Sequence, residues 1–344
     1  MVLRIPVISS IEGLAAAVRQ RLAAVSATRQ VEIVDVPVPS CASWPLTASQ
    51  RQVLEDAEFL LVDAALGAKL LLERPQKLPD VLNRVKWVQS TYAGVEPFFQ
   101  RVAPNVPHPN FTLTRAGGIM PSAMAQYVFG WVIALERKFL DVQNFQRQHQ
   151  YARAELKYRS FRPLTIGILG LGEIGQGIGR LMKVAGFQVV GFKRRASAED
   201  AGKLKECADR VSDDLDDVLR VADFVVNILP STTATRGLLT VERLQVCQKK
   251  KPVFINVGRG DVIREKELVA ALDDGLFSKA VLDVFEQEPL PEESPLWTHP
   301  SVLITPHVSA LSLPEEVADV FVKNLELRLQ EQPMLYPVDW ADGY

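Results

Sequence analysis

The chain has 344 residues, room for about two domains at the usual ~100–200 residues each, and its 47% hydrophobic and 23% charged residues are those of a folded globular protein that needs no metal or disulfide staple. A net charge of −2 argues against a nucleic-acid partner, and the lack of any apolar run near ~18 residues argues against a membrane one. The widely spaced Cys41, Cys207 and Cys247 form no CxxC pair, and with only four histidines no metal-ligand cluster emerges; free thiols in the cytoplasm are the expectation.

In chain order, Arg4–Ile8 reads as a strand rather than a leader. It is followed by a helix over Gly13–Val25 and further strands at Val31–Val36, Phe59–Val62 and Val85–Gln89. Pro104, Pro107 and Pro109 suggest a stiff linker or hinge. An apolar-periodic stretch from Ser122 to His149, with Pro121 at its start, predicts one long helix or two in tandem. A second alternating region places strands at Leu164–Leu169, Val189–Phe192, Phe224–Leu229, Val253–Val257, Ala280–Val284 and Val302–Thr305, and a last helix covers Pro314–Glu331. The expected fold class is α/β: two Rossmann-like doubly wound domains, one flavodoxin-like and one dinucleotide-binding, with a cleft between them. The first takes residues 1–115 and is completed by 308–344; the second takes 116–307.

The strand at Leu164–Leu169 runs directly into Gly170-Leu171-Gly172-Glu173-Ile174-Gly175 and then a helix. In that context the glycines form a dinucleotide turn: Gly170 for the tight bend, Gly172 to admit the pyrophosphate, Gly175 for close helix–strand approach. The next strand ends in Lys193-Arg194-Arg195 and carries no acid there. A carboxylate would grip a free ribose hydroxyl, whereas guanidinium groups suit a 2′-phosphate, so NADP(H) is expected over NAD(H), with Arg194 and Arg195 as its contacts.

Three later strand ends carry chemistry: Arg259 after Val253–Val257, Glu288 after Ala280–Val284, and His307 after Val302–Thr305. Ligands of open α/β sheets bind at that edge. Glu286 lies two residues from Glu288 and competes with it as the carboxylate of the site. The segments NVGRGDVI (Asn256–Ile263), LDVFEQEPLP (Leu282–Pro291) and ITPHVSA (Ile304–Ala310), together with GLGEIG and LPSTTATRGLL (Leu229–Leu239), resemble the signatures of the D-isomer-specific 2-hydroxyacid dehydrogenases. Glu288 stands 29 positions after Arg259, and His307 19 after Glu288, which is the family's spacing. The likeness spans roughly residues 85–310. The ending VDWADGY resembles the glyoxylate/hydroxypyruvate reductase branch.

The resemblance implies hydride transfer to a small 2-oxoacid, giving the D-2-hydroxyacid. His307 would be the general acid, Glu288 its orienting partner and Arg259 the carboxylate binder. It also implies a substrate loop at Ser90–Glu96, with Tyr92, Ala93 and Gly94 cradling the carboxylate through main-chain N–H groups. Cofactor contacts would come from Gly170, Gly172, Glu173, Ile174, Gly175, Lys193, Leu229, Pro230, Val257, Gly258, Asp283 and Ser309. Asp283 would receive the nicotinamide carboxamide. A homodimer through the helical region carrying Tyr127, Trp131 and Phe139 is expected by the same analogy. His108, His149 and His299 read as structural, and Trp44 as a loop residue that could line the substrate entrance. Two other readings stay open: a non-catalytic NAD(P)H-sensing corepressor or scaffold, which could keep the whole triad, and a formate dehydrogenase-like enzyme, which Glu288 disfavours because a Gln would stand there.

Overall fold

Leu3–Ile8 (β1) forms because its apolar run is buried along almost its whole length, as a strand covered on both faces must be. The computed structural model describes residues 2–23, 30–38, 47–73, 82–102, 108–194 and 201–340. Cys41, Trp44, Pro104, Pro107 and Arg195 lie outside them. The chain divides into two compact units, Met1–Ile119 with Ser312–Tyr344, and Met120–Leu311.

In the first unit β1 is joined by Val31–Asp35 (β2), Phe59–Val62 (β3), Trp87–Ser90 (β4) and Thr112–Thr114 (β5). All pairings are parallel, in the order β2-β1-β3-β4-β5. That is the flavodoxin-like winding, whose switch point lies between β1 and β3. The helices Leu14–Ala23 and Pro314–Leu329 cover one face, where Leu14, Val18, Val317, Phe321 and Leu325 pack with Trp87. The Trp87 and Phe321 rings stack at 5.4 Å. The C-terminal segment then shields the β5 edge: Pro337 bridges Thr114 antiparallel, and Val338 N–H donates to Leu113 O at 2.9 Å. Of the proline-rich stretch Pro109 is described, and it precedes β5 within this unit.

The second unit is a seven-stranded parallel sheet. Its strands are Thr165–Leu169 (β6), Gln188–Phe192 (β7), Arg210–Ser212 (β8), Phe224–Asn227 (β9), Val253–Asn256 (β10), Lys279–Leu282 (β11) and Val302–Ile304 (β12). They run in the order β12-β11-β10-β9-β6-β7-β8. The chain starts at β6, winds outward through β7 and β8, and returns to β9 on the other side. The crevice between β6 and β9 is therefore the topological switch point where a dinucleotide sits in such folds. The helical stretch after Pro121 is two helices, Met120–Glu136 and Phe139–Arg147, separated by Lys138 in the left-handed region at φ 55. The first packs on Glu173–Val184, where Gly177 lets Pro121 come close: a Cβ there would stand 2.9 Å from Pro121 Cβ.

Candidate active site

The strand ends of the second unit are held by buried amides before any charged side chain is considered. Asn227 and Asn256, at the ends of β9 and β10, are both buried, and Asn227 Nδ2 donates to Asn256 Oδ1 at 2.8 Å. Asn227 Oδ1 accepts from Leu229 N–H, and Asn256 Oδ1 from Gly258 N–H. Asn256 Nδ2 donates to the carbonyl of Arg259 at 3.2 Å. The two turns approach so closely that a Cβ on Gly258 would stand 2.9 Å from Leu229 N. These contacts fix the backbone at Arg259. They also turn the side chains of Leu229 and Val257 inward, which leaves main chain as what those residues can offer a ligand.

His307 and Glu288 meet from the ends of β12 and β11. Nδ1 of the imidazole lies 2.7 Å from Glu288 Oε2, while Glu288 Oε1 accepts from Phe285 N–H at 3.0 Å. A carboxylate can only accept, so Nδ1 carries the hydrogen and Nε2 is left for a substrate. The Glu288 hydrogen bond raises the His307 pKa above 6.5 against the opposing effect of burial. Burial works against the Glu288 charge, yet the bonds from His307 and Phe285, with Arg259's charge, hold its carboxyl below 4.5. Arg259's positive charge acts on both groups, so guanidinium, carboxylate and imidazole share one electrostatic site.

Glu286 is elsewhere, accepting from Glu265 N–H at 2.8 Å. Residues two apart on a strand would share a face; both glutamates lie beyond β11 in a bent segment, which lets them part.

His307 has φ 54, a left-handed backbone that costs a non-glycine residue roughly 1–2 kcal/mol. Asp283 compensates. Its carbonyl accepts from His307 N–H at 2.8 Å, Oδ1 from Val308 N–H and Oδ2 from Ser309 N–H, both at 2.9 Å. Oδ1 also takes the Thr305 hydroxyl at 2.6 Å. Asp283 is fully buried, and these bonds place it behind the His307 turn as its support. The buried Ser309 hydroxyl beside it has no partner.

The dinucleotide turn has the shape its sequence calls for. Gly170 sits at φ 107, and a Cβ at residue 175 would overlap the Gly170 carbonyl oxygen. Around Gly172 a Cβ would meet nothing within 4 Å. Gly172 caps the helix Glu173–Val184, whose first-turn N–H groups have no intrahelical acceptor and suit a phosphate. The open approach at Gly172 thus fits a pyrophosphate. Lys193 and Arg194 follow the end of β7, with Arg194 exposed.

In the first unit, Tyr92, Ala93 and Gly94 follow β4. The Tyr92 N–H donates to Ser90 Oγ at 3.2 Å, so it is already committed. Tyr127 is half-buried with its phenol oxygen 2.6 Å from Thr305 Oγ1, and Phe139 is exposed. Burial raises the Cys207 thiol and pushes that of Cys247 up to about 12, which removes both as nucleophiles. His299 accepts from Ser301 N–H and pairs with Asp273. His108 lies against the Trp340 ring. Asn227 and Tyr127 lie outside the signature segments, and Asn256 and Thr305 lie inside them with no role legible from sequence; the fold supplies those roles.

Residues 129–309 match the profile of the D-isomer specific 2-hydroxyacid dehydrogenase NAD binding domain. The chain belongs to the D-isomer specific 2-hydroxyacid dehydrogenases. Within that family it is 33% identical over 242 residues to glyoxylate/hydroxypyruvate reductase A of Salmonella choleraesuis, covering 69% of this chain and 73% of that protein. Among solved structures it resembles a D-isomer specific 2-hydroxyacid dehydrogenase of Xanthobacter autotrophicus in complex with NADPH and MES, at TM-score 0.78, 28% identity and 99% coverage of both chains. It also resembles an NADPH-dependent glyoxylate/hydroxypyruvate reductase of Sinorhizobium meliloti in complex with NADP and sulfate. There the TM-score is 0.77 and the identity 26%, over 99% of this chain and all of that one. The likeness to these reductases places the chain in the glyoxylate/hydroxypyruvate reductase-like branch of the dehydrogenase family.

Proposed function

We propose that the protein is an NADPH-dependent reductase of small 2-oxoacids, such as glyoxylate or hydroxypyruvate, forming the D-2-hydroxyacid. The observation that carries this reading is the 2.7 Å His307–Glu288 pair under the charge of Arg259, on the same sheet edge as the glycine turn. When bound, a reduced nicotinamide supplies hydride to the carbonyl carbon. The negative charge that develops on the carbonyl oxygen needs a proton, and His307 donates it from Nε2. Glu288 keeps the imidazole in the tautomer that can do so and favours its protonated form. Arg259 pairs with the substrate carboxylate and polarises the carbonyl; its charge is permanent and its fork planar. Main-chain N–H groups at Ala93 and Gly94 are assigned to a substrate carboxylate.

The pyrophosphate is assigned to Gly170, Gly172, Glu173, Ile174 and Gly175, through main chain and the helix N-terminus. Leu229, Pro230, Val257 and Gly258 flank the cofactor, Ser309 lies at its nicotinamide end, and Lys193 and Arg194 meet a 2′-phosphate. Support for NADPH comes from the cationic strand end and from the ligands of the two structural relatives. A homodimer is proposed on the exposed Phe139, Leu140 and Val142 of a helix that buries none of its residues in its own unit.

The test is oxidation of NADPH and NADH with glyoxylate, hydroxypyruvate and longer 2-oxoacids, in the wild type and in His307→Ala. Turnover with NADPH that falls ~10²–10⁴-fold in the variant, with NADPH still bound, is expected. Tight NADPH binding without turnover on any of these acids would overturn the reading.

A further inference from the structure

The Thr305 hydroxyl has one hydrogen, and Asp283 Oδ1, which can only accept, takes it at 2.6 Å. The Tyr127 oxygen lies 2.6 Å from the same hydroxyl. Its O–H must therefore donate to Thr305, since Thr305 has nothing left to give. The Trp131 ring packs edge-on against Tyr127 from one turn further along the helix, with the centroids 6.3 Å apart. The donors thus run in one direction, from Tyr127 to Thr305 to Asp283. Asp283 in turn grips the N–H groups of His307, Val308 and Ser309. Burial raises the Tyr127 pKa, with the Asp283 charge adding to it, which keeps the phenol a donor across the working range.

We propose that Tyr127 and Thr305 are positioning residues that act through Asp283 to hold the left-handed His307 turn in register with Glu288. The inference rests on the reading of His307 as the proton donor. Neither residue touches a reacting atom. Tyr127 reaches the turn from the helix Met120–Glu136, 178 positions away in sequence, and couples that helix to the placement of the imidazole. A hydroxyl at 305 is what the arrangement requires, since Val fills the same volume but neither accepts from Tyr127 nor donates to Asp283.

The experiment compares Tyr127→Phe, Thr305→Val, Thr305→Ser and the Tyr127→Phe/Thr305→Val double variant with the wild-type full-length enzyme. It measures kcat, KM for the 2-oxoacid and for NADPH, melting temperature, and the His307 imidazole NMR resonances. A bond to a buried charge is worth enough that Thr305→Val should lower kcat on the order of tenfold, with KM for NADPH within about twofold. Tyr127→Phe should follow it more weakly, and the double variant should be no worse than Thr305→Val alone. Thr305→Ser, which loses a methyl but keeps the hydroxyl, should recover at least half of the turnover. A packing role predicts the opposite order, with Thr305→Val mild and Thr305→Ser impaired, and that result would overturn the proposal. So would wild-type kcat in both single variants, or losses that multiply in the double one. If the wild type turns over no 2-oxoacid, the functional reading fails by itself. The NMR resonances then decide the relay: a His307 shift in Tyr127→Phe and Thr305→Val but not in Thr305→Ser supports it, and unmoved resonances refute it.

Discussion

His307 Nδ1 and Glu288 Oε2 lie 2.7 Å apart, and the contact moves the two groups' proton affinities in opposite directions, the imidazole's up and the carboxyl's down. Reduction needs the protonated imidazole. The kcat/KM for reduction should therefore hold through pH 6.5 and decline only as pH rises through His307's raised value. Glu288→Gln removes the largest cause of that rise, so its descending limb should move to lower pH. A pH–rate profile with an unmoved limb in Glu288→Gln would show that another group is the acid.

The glycines of the turn separate two kinds of effect. A methyl at Gly175 collides with the Gly170 carbonyl in the protein itself, whereas one at Gly172 meets open space. Gly175→Ala should therefore lower the melting temperature without cofactor. Gly172→Ala should leave that temperature unchanged and raise the Kd for NADPH by tenfold or more, the methyl standing where the pyrophosphate belongs. Thermal melts with and without NADPH distinguish the two. Equal behaviour of the variants would refute the assignment of the turn.

What the sequence made legible follows from how local each signal is. The glycine turn is a contiguous run after a strand, and Arg259, Glu288 and His307 each follow an apolar strand within a recognisable segment, so motif and period support each other. The strands Thr112–Thr114 and Arg210–Ser212 escaped notice because each is three residues long with a single apolar side chain. They are strands only by pairing with β4 and β7. The support of the His307 turn escaped for a different reason. Tyr127, Thr305 and Asp283 come from three elements, and a buried hydroxyl bonded across 178 positions leaves no periodicity to read. From sequence, Tyr127 reads as a ring of the expected dimer region on an apolar helix.

The proposed NADPH preference rests on the end of β7. Lys193 and Arg194 stand where an NAD-type site would place a carboxylate. Arg194→Asp should raise KM for NADPH at least tenfold and leave KM for NADH equal or lower, since a carboxylate repels the 2′-phosphate and can bond a free ribose hydroxyl. An unchanged ratio of kcat/KM for the two cofactors would remove Arg194 from the phosphate site.

Asp63 makes the last prediction. It sits at the end of β3, beside the switch point of the first unit, and is buried. Its Oδ1 accepts from Ser9 Oγ at 2.6 Å and Thr91 Oγ1 at 2.7 Å, and its Oδ2 from Ser10 N–H and Ser10 Oγ, both at 2.7 Å. One carboxylate thus ties the ends of β1 and β4, and Thr91 leads directly into Tyr92, Ala93 and Gly94. Asp63→Ala strands four donors at about 1–3 kcal/mol for each one left unmet, and should lower the melting temperature by more than ~5 °C. Asp63→Asn keeps an acceptor for Ser10 N–H, and the hydroxyls can rotate to meet its amide, so it should melt closer to the wild type. Because the loop carries the proposed carboxylate contacts and the glycine turn belongs to the other unit, both variants should raise KM for the 2-oxoacid several-fold and leave KM for NADPH alone. A lower melting temperature with an unchanged oxoacid KM would confine Asp63 to holding the sheet edge.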